Sequence, residues 1–168
     1  MKLLAGLLVL GCVFATATGA AAQSKFSGKC SQGKPDPNYT ITIDDRPGHA
    51  MTLGKVTCTW SSGELGGDAL KEEVDTDVNE ITATTYHDRG FGVGTTASGD
   101  KYYLRFESKG AVKDGAPQNA TCTWFFTGGT GKLKGIAGKG TCTGTFDASG
   151  GATFDIVGEY TLATAKAK

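Results

Sequence analysis

Short runs rich in β-branched and aromatic residues, each cut off by turn-forming residues, recur along most of this chain. Tyr39-Thr40-Ile41-Thr42-Ile43 alternates and runs into Asp44-Asp45-Arg46-Pro47-Gly48. Residues 55–60 end at Ser61-Ser62-Gly63, and residues 81–86 run up to Asp88-Arg89-Gly90. Residues 101–108, 121–127, 139–146 and 152–163 follow, separated by glycine-containing turns. Runs of this length and composition predict strands joined by tight turns. The segment with Leu70, Val74 and Val78 fits two periods. It is expected as a strand with Leu70, Glu72, Val74, Thr76 and Val78 on one face, with a short helix as the alternative. Seven or eight strands and few helix signals predict an antiparallel sandwich or barrel, and closure is the simplest way to remove exposed sheet edges. The 26 glycines in 168 residues are about twice the usual share, which suits tight turns and barrel corners.

The N-terminus has a different character. Lys2, an apolar stretch over residues 3–16 and Ala20-Ala21-Ala22 form the pattern of a signal peptide over residues 1–22. Residues 23–168 are then expected as one exported domain, periplasmic or secreted, with no membrane attachment after cleavage. Four cysteines remain in it: Cys30, Cys58, Cys122 and Cys142. An even number in an exported chain points to disulfides, with three connectivities open. The sequence-local pairs Cys30–Cys58 and Cys122–Cys142 are favoured. A hairpin centred near Lys132 would set Cys122 and Cys142 opposite each other, at a separation close to what a disulfide needs.

Charge and motifs exclude several functions. Lys plus Arg and Asp plus Glu both number 17, so the chain lacks the basic excess that nucleic-acid binding requires. There is no C-x-x-C and no histidine cluster, so no metal is expected. Gly128-Gly129-Thr130-Gly131-Lys132 fails as a phosphate loop, because Leu133 follows the lysine and Phe126 occupies the first glycine position. Gly90-Phe91-Gly92-Val93-Gly94 fails as a dinucleotide fingerprint. No cofactor is implied.

Candidate site residues come from strand alternation. Tyr103, Arg105 and Glu107 share one face of the 101–108 strand, and Tyr102, Leu104 and Phe106 share the other. With the polar face inward, Arg105 and Glu107 would orient a ligand or move a proton beside Tyr103. With the apolar face inward, which ordinary packing favours, the polar face is solvated. His49 completes the catalytic candidates. Trp60 and Trp124 are candidate ligand contacts, although large aromatics in strands usually pack the core.

The run from Phe126-Thr127-Gly128-Gly129-Thr130-Gly131 through Gly135, Gly138 and Gly140 resembles the glycine hairpin of the allene oxide cyclase-like barrels, a group that includes dirigent-type proteins. Gly140-Thr141-Cys142-Thr143-Gly144, Gly158-Glu159-Tyr160, Gly99-Asp100-Lys101-Tyr102-Tyr103 and Gly48-His49-Ala50 add to it. The chain looks most similar to small exported bacterial proteins of that group, mostly of unassigned function. The resemblance implies a single closed eight-stranded antiparallel barrel with a central cavity, in homo-dimers or homo-trimers. Binding of a small, largely apolar ligand is the expected role. The alternatives are a cofactor-free cyclase or isomerase, as in plant members, and a structural or interaction protein with a filled barrel.

Overall fold

The computed structural model describes residues 22–163. The expected signal peptide, residues 1–22, lies outside the described residues except for Ala22. Eleven strands follow in order: β1 (Ser24–Gln32), β2 (Asn38–Thr42), β3 (Ala50–Ser62), β4 (Glu64–Leu65), β5 (Asp68–Ile81), β6 (Thr85–Thr96), β7 (Lys101–Lys113), β8 (Ala116–Pro117), β9 (Asn119–Gly129), β10 (Ala137–Phe146) and β11 (Ala152–Thr161). Eight of them close an antiparallel up-and-down barrel in chain order, β1-β3-β5-β6-β7-β9-β10-β11, with β11 returning to β1. β1 pairs only with the last residues of β3, and the exposed strand β2 takes up pairing along the first residues of β3. The fold is therefore all-β and closed, as the strand spacing predicts.

Both expected disulfides bridge neighbouring barrel strands. Cys30 on β1 joins Cys58 on β3, and Cys122 on β9 joins Cys142 on β10. Cys122 and Cys142 are direct cross-strand partners with Cα atoms 5.0 Å apart, because the hairpin turns through Gly131–Leu133 as its sequence symmetry requires. Gly131 adopts φ 50° there, a conformation that favours glycine. Among the described residues, no helix is long and apolar enough to cross a membrane. The disulfides are compatible with an exported protein.

Two elements depart from expectation. Residues 81–86 are not one strand: β5 ends at Ile81 and β6 starts at Thr85. The turn between them is made by threonine, with Thr82 Oγ1 accepting from the Thr85 amide at 3.1 Å. Asp88-Arg89-Gly90, a turn signal by composition, continues inside β6 because Gly90 passes beneath the Phe106 ring. The segment containing Leu70, Val74 and Val78 is strand β5, but its phase changes. A bulge between Leu70 and Glu72 shifts the register against β6. Leu70 faces in, whereas Glu73 and Asp75 take the next inward positions and Val74 turns to solvent.

One end of the barrel is plugged. Leu65 on β4 and Leu133 in the hairpin turn are fully buried there with Ile136 and Tyr160, and the Gly66 amide donates to Tyr160 Oη at 3.0 Å. Edge-to-face contacts link Phe26 to Trp124, Trp124 to Phe126 and Phe126 to Tyr102 at centroid separations of 5.6, 5.0 and 5.8 Å.

Candidate functional site

The barrel interior is not filled by these rings. A cavity of about 370 Å³ remains, within the usual range for small-molecule sites. Its lining has two kinds of wall. Aromatic and aliphatic side chains of β1, β3, β7, β9 and β11 form one, with Phe26, Trp60, Leu104, Trp124, Phe126 and Ile156 among them. The other is acidic. Glu73, Asp75 and Asp77 follow one another along the inward face of β5, and Asp88 joins them from β6 beside Asn79.

Gly92 makes room for two of the acids. Glu73, Asp75 and Asp77 stand directly across from Gly94, Gly92 and Gly90 on β6. A Cβ at Gly92 would come 2.7 Å from Asp75 Oδ1 and 2.9 Å from Leu104 Cδ1. Gly92 thus gives space to the Asp75 and Glu73 carboxyls, while Gly90 and Gly94 give space to the Phe106 and Tyr102 rings.

These carboxyls have almost no partners. Glu73 is 7 % exposed and Asp75 4 %. Gln32 Nε2 donates to Asp75 Oδ2 at 3.1 Å. Glu73 Oε2, Asp75 Oδ1, Asn79 Oδ1 and Asp88 Oδ1 are buried without a hydrogen-bond partner, as are Tyr102 Oη and the indole nitrogens of Trp60 and Trp124. Burial disfavours the ionised form. It raises Glu73, and it raises Asp75 well above the ordinary carboxylate range, with the neighbouring Glu73 charge acting in the same direction. Burial raises Asp77, and burial followed by the Asp77 charge pushes Asp88 up to about 7. Burial and then Glu73 hold the Tyr102 phenol well above its usual value. Buried polar atoms are normally satisfied, so this concentration of unpaired groups around one cavity marks it as the candidate site.

The sequence candidates divide. Trp60 and Trp124 line the cavity. Tyr103, Arg105 and Glu107 do not, because β7 turns Tyr102, Leu104 and Phe106 inward. Arg105 lies on the outer wall over the Phe91 ring, 5.0 Å from its centroid. His49 is buried outside the cavity, in the turn before β3. Its Nδ1 meets Asp45 Oδ1 at 2.5 Å and its Nε2 meets Glu80 Oε1 at 3.0 Å. Both ring nitrogens are engaged, so His49 clamps that turn to β5. Glu73, Asp75, Asp77, Asp88 and Tyr102 were not expected. The available signal was the alternation Glu73-x-Asp75-x-Asp77 beside Gly90-x-Gly92-x-Gly94.

No protein-family model matches the sequence. No curated protein matches it either. Among solved structures, a protein of unknown function of the DUF3224 family from Shewanella oneidensis MR-1 is similar, with a TM-score of 0.52 and 15 % identity over 86 % of this chain and all of that one. A pterocarpan synthase dirigent protein aligns over 92 % of this chain and 98 % of its own, with a TM-score of 0.47 and 9 % identity. Both are barrel-type proteins. The first likeness shows a shared fold and assigns no role to any residue.

Proposed function

We propose that this protein is an exported barrel that binds one small ligand in its cavity, with the ligand's apolar body on the aromatic wall and its polar group on the acidic wall. The observation that carries this is the set of buried polar atoms without partners around a cavity of about 370 Å³. A chain that needed only a filled core would pack apolar side chains there. Trp60 and Trp124 are the only tryptophans and both line the cavity, so their fluorescence reports on it. The neutral probe N-phenyl-1-naphthylamine should bind saturably, one per barrel, and quench that fluorescence. Val56→Phe, which fills the cavity, should abolish binding, and Glu107→Ala on the outer wall should leave it intact. Unsaturable binding, or binding unaffected by Val56→Phe, contradicts the proposal.

A second reading has its own support: a carboxyl at about 7, Asp88, in a cavity suits proton transfer near neutral pH. That would make the barrel a cofactor-free cyclase or isomerase. Asp88→Asn should then abolish turnover of a ligand while its affinity is kept, whereas equal loss of both favours simple binding. The expected homo-dimer or homo-trimer has a suitable outer face in the exposed Phe91, Val93 and Phe125. Sedimentation of Phe91→Lys against the unaltered protein tests it, and an unchanged assembly would exclude that face.

A further inference from the structure

The cavity's charge is one-sided. Five acidic side chains line it, Glu73, Asp75, Asp77, Asp88 and Asp147, and its lining contains no lysine, arginine or histidine. Every ion pair among the described residues lies elsewhere, on the outer wall or in the turn around His49. Besides Asp75, the titratable groups lining the cavity are Glu73 and Asp77 from its own strand, Asp88 and Tyr86 from β6, Tyr102 from β7 and Asp147 from the turn before β11. None of them supplies a positive charge. Asp147 is exposed and held low by hydrogen bonds within its turn, but burying the other four carboxyls without counter-cations raises each of them and carries a cost. A cation in the cavity would remove it.

The shape of the cluster selects the kind of cation. Among the described residues, no three His, Cys, Asp or Glu side chains stand close enough to hold a metal ion. The acids form a row along one wall, facing aromatic rings on the other. An ammonium group on an apolar body fits both, with the charge at the row and the body against the rings. The unpartnered indole N–H of Trp124, 6 % exposed, adds independent hydrogen-bonding capacity to the same cavity. The indole needs an acceptor on the ligand. Resting on the binding role proposed above, we infer that the ligand class is an organic amine: a protonated amine on a compact, preferably aromatic body that also carries a hydroxyl or ether oxygen.

Three molecules of one shape separate charge from fit. Tyramine, tyrosol and 4-hydroxyphenylacetate share a phenol and differ at the other end as cation, neutral alcohol and anion. Calorimetry on the intact disulfide-bonded protein at pH 7.5 should show tyramine binding at least tenfold tighter than tyrosol, and no binding of the anion. Tyramine should release protons, seen as a buffer-dependent heat, and its affinity should rise between pH 6 and pH 8. Asp75→Asn and Asp88→Asn should each reduce the preference for tyramine over tyrosol, with an unchanged far-UV circular dichroism spectrum and cooperative urea unfolding showing that the barrel is still folded. Equal affinity for tyramine and tyrosol would overturn the amine assignment and leave ligand binding standing. Failure of all three while the naphthylamine binds would do the same. Calcium binding at the acids in place of tyramine would replace the organic cation with a metal. Failure of every probe, naphthylamine included, would overturn the binding role itself.

Discussion

Two walls of the same barrel use inward-facing glycines for different ends. On the aromatic wall, Gly158 of β11 is wedged in place. A Cβ there would come 2.5 Å from Trp124 Cζ2 and 2.5 Å from the backbone oxygen of Lys139. On the acidic wall, the atoms nearest a Cβ at Gly92 are the ends of the Asp75, Leu104 and Glu73 side chains. Backbone cannot move aside without disturbing the sheet, whereas side-chain ends can. The rings of the aromatic wall pack edge-to-face on one another, whereas the acidic wall leaves carboxyl oxygens unpaired. One wall therefore holds the barrel together and the other holds its polarity available for something else.

The strongest way to break this comparison is to remove the keystone of the aromatic wall. Trp124→Ala should cost about 3–5 kcal/mol in urea unfolding, and a loss below 1 kcal/mol would mean that the wall is not what holds the fold. Gly158→Ala should destabilise by about 1–3 kcal/mol through overpacking. Gly92→Ala should cost less than that and instead weaken binding of N-phenyl-1-naphthylamine. Equal stability losses at the two glycines would erase the distinction between the walls.

The acidic wall sets the pH dependence. Unfolded carboxyls ionise near pH 4, while in the folded barrel burial raises Glu73 and Asp75 above that range and Asp88 to about 7. The folded state binds more protons across this window, so stability falls as pH rises through it. Asp45, Asp68 and Asp147 are held low by hydrogen bonds, so their contribution is lost only in stronger acid. Tm should be higher at pH 5 than at pH 8, by about 5 °C or more. Asp75→Asn should flatten that slope, and a Tm that rises from pH 5 to pH 8 would contradict the placement of the acids. The smallest effect belongs to the outer wall, where Arg105→Ala and Glu107→Ala should each change stability by no more than about 0.5 kcal/mol and leave probe binding unchanged.

The sequence made much of the barrel legible where structure is local. The Cys122–Cys142 hairpin could be read because its strands are symmetric about a glycine turn. β1 could not: Ser24-Lys25-Phe26-Ser27-Gly28-Lys29-Cys30-Ser31-Gln32 has no β-branched residue, and it is a strand because β3 and β11 pair with it. The acidic wall was hidden for a related reason. Alternation through Leu70, Val74 and Val78 places the valines inside, and only the bulge before Glu72 reverses this. Its significance also depends on β5 lying beside the glycines of β6, a tertiary pairing. Arg105 and Glu107 drew notice because charge on a strand is conspicuous, yet the same alternation that groups them puts Tyr102, Leu104 and Phe106 inside.

The central claim is that a row of carboxyls faces inward, without counter-cations, in a cavity of ligand size. Carbon-13 NMR titration of the Asp and Glu side-chain carboxyls tests it most directly, with Asp75→Asn and Asp88→Asn assigning the signals. The account predicts an Asp75 carboxyl titrating well above the ordinary carboxylate range and an Asp88 carboxyl titrating at about 7. If every carboxyl in the protein titrates below about pH 5, as solvated groups do, the acids do not face the cavity and the account is wrong.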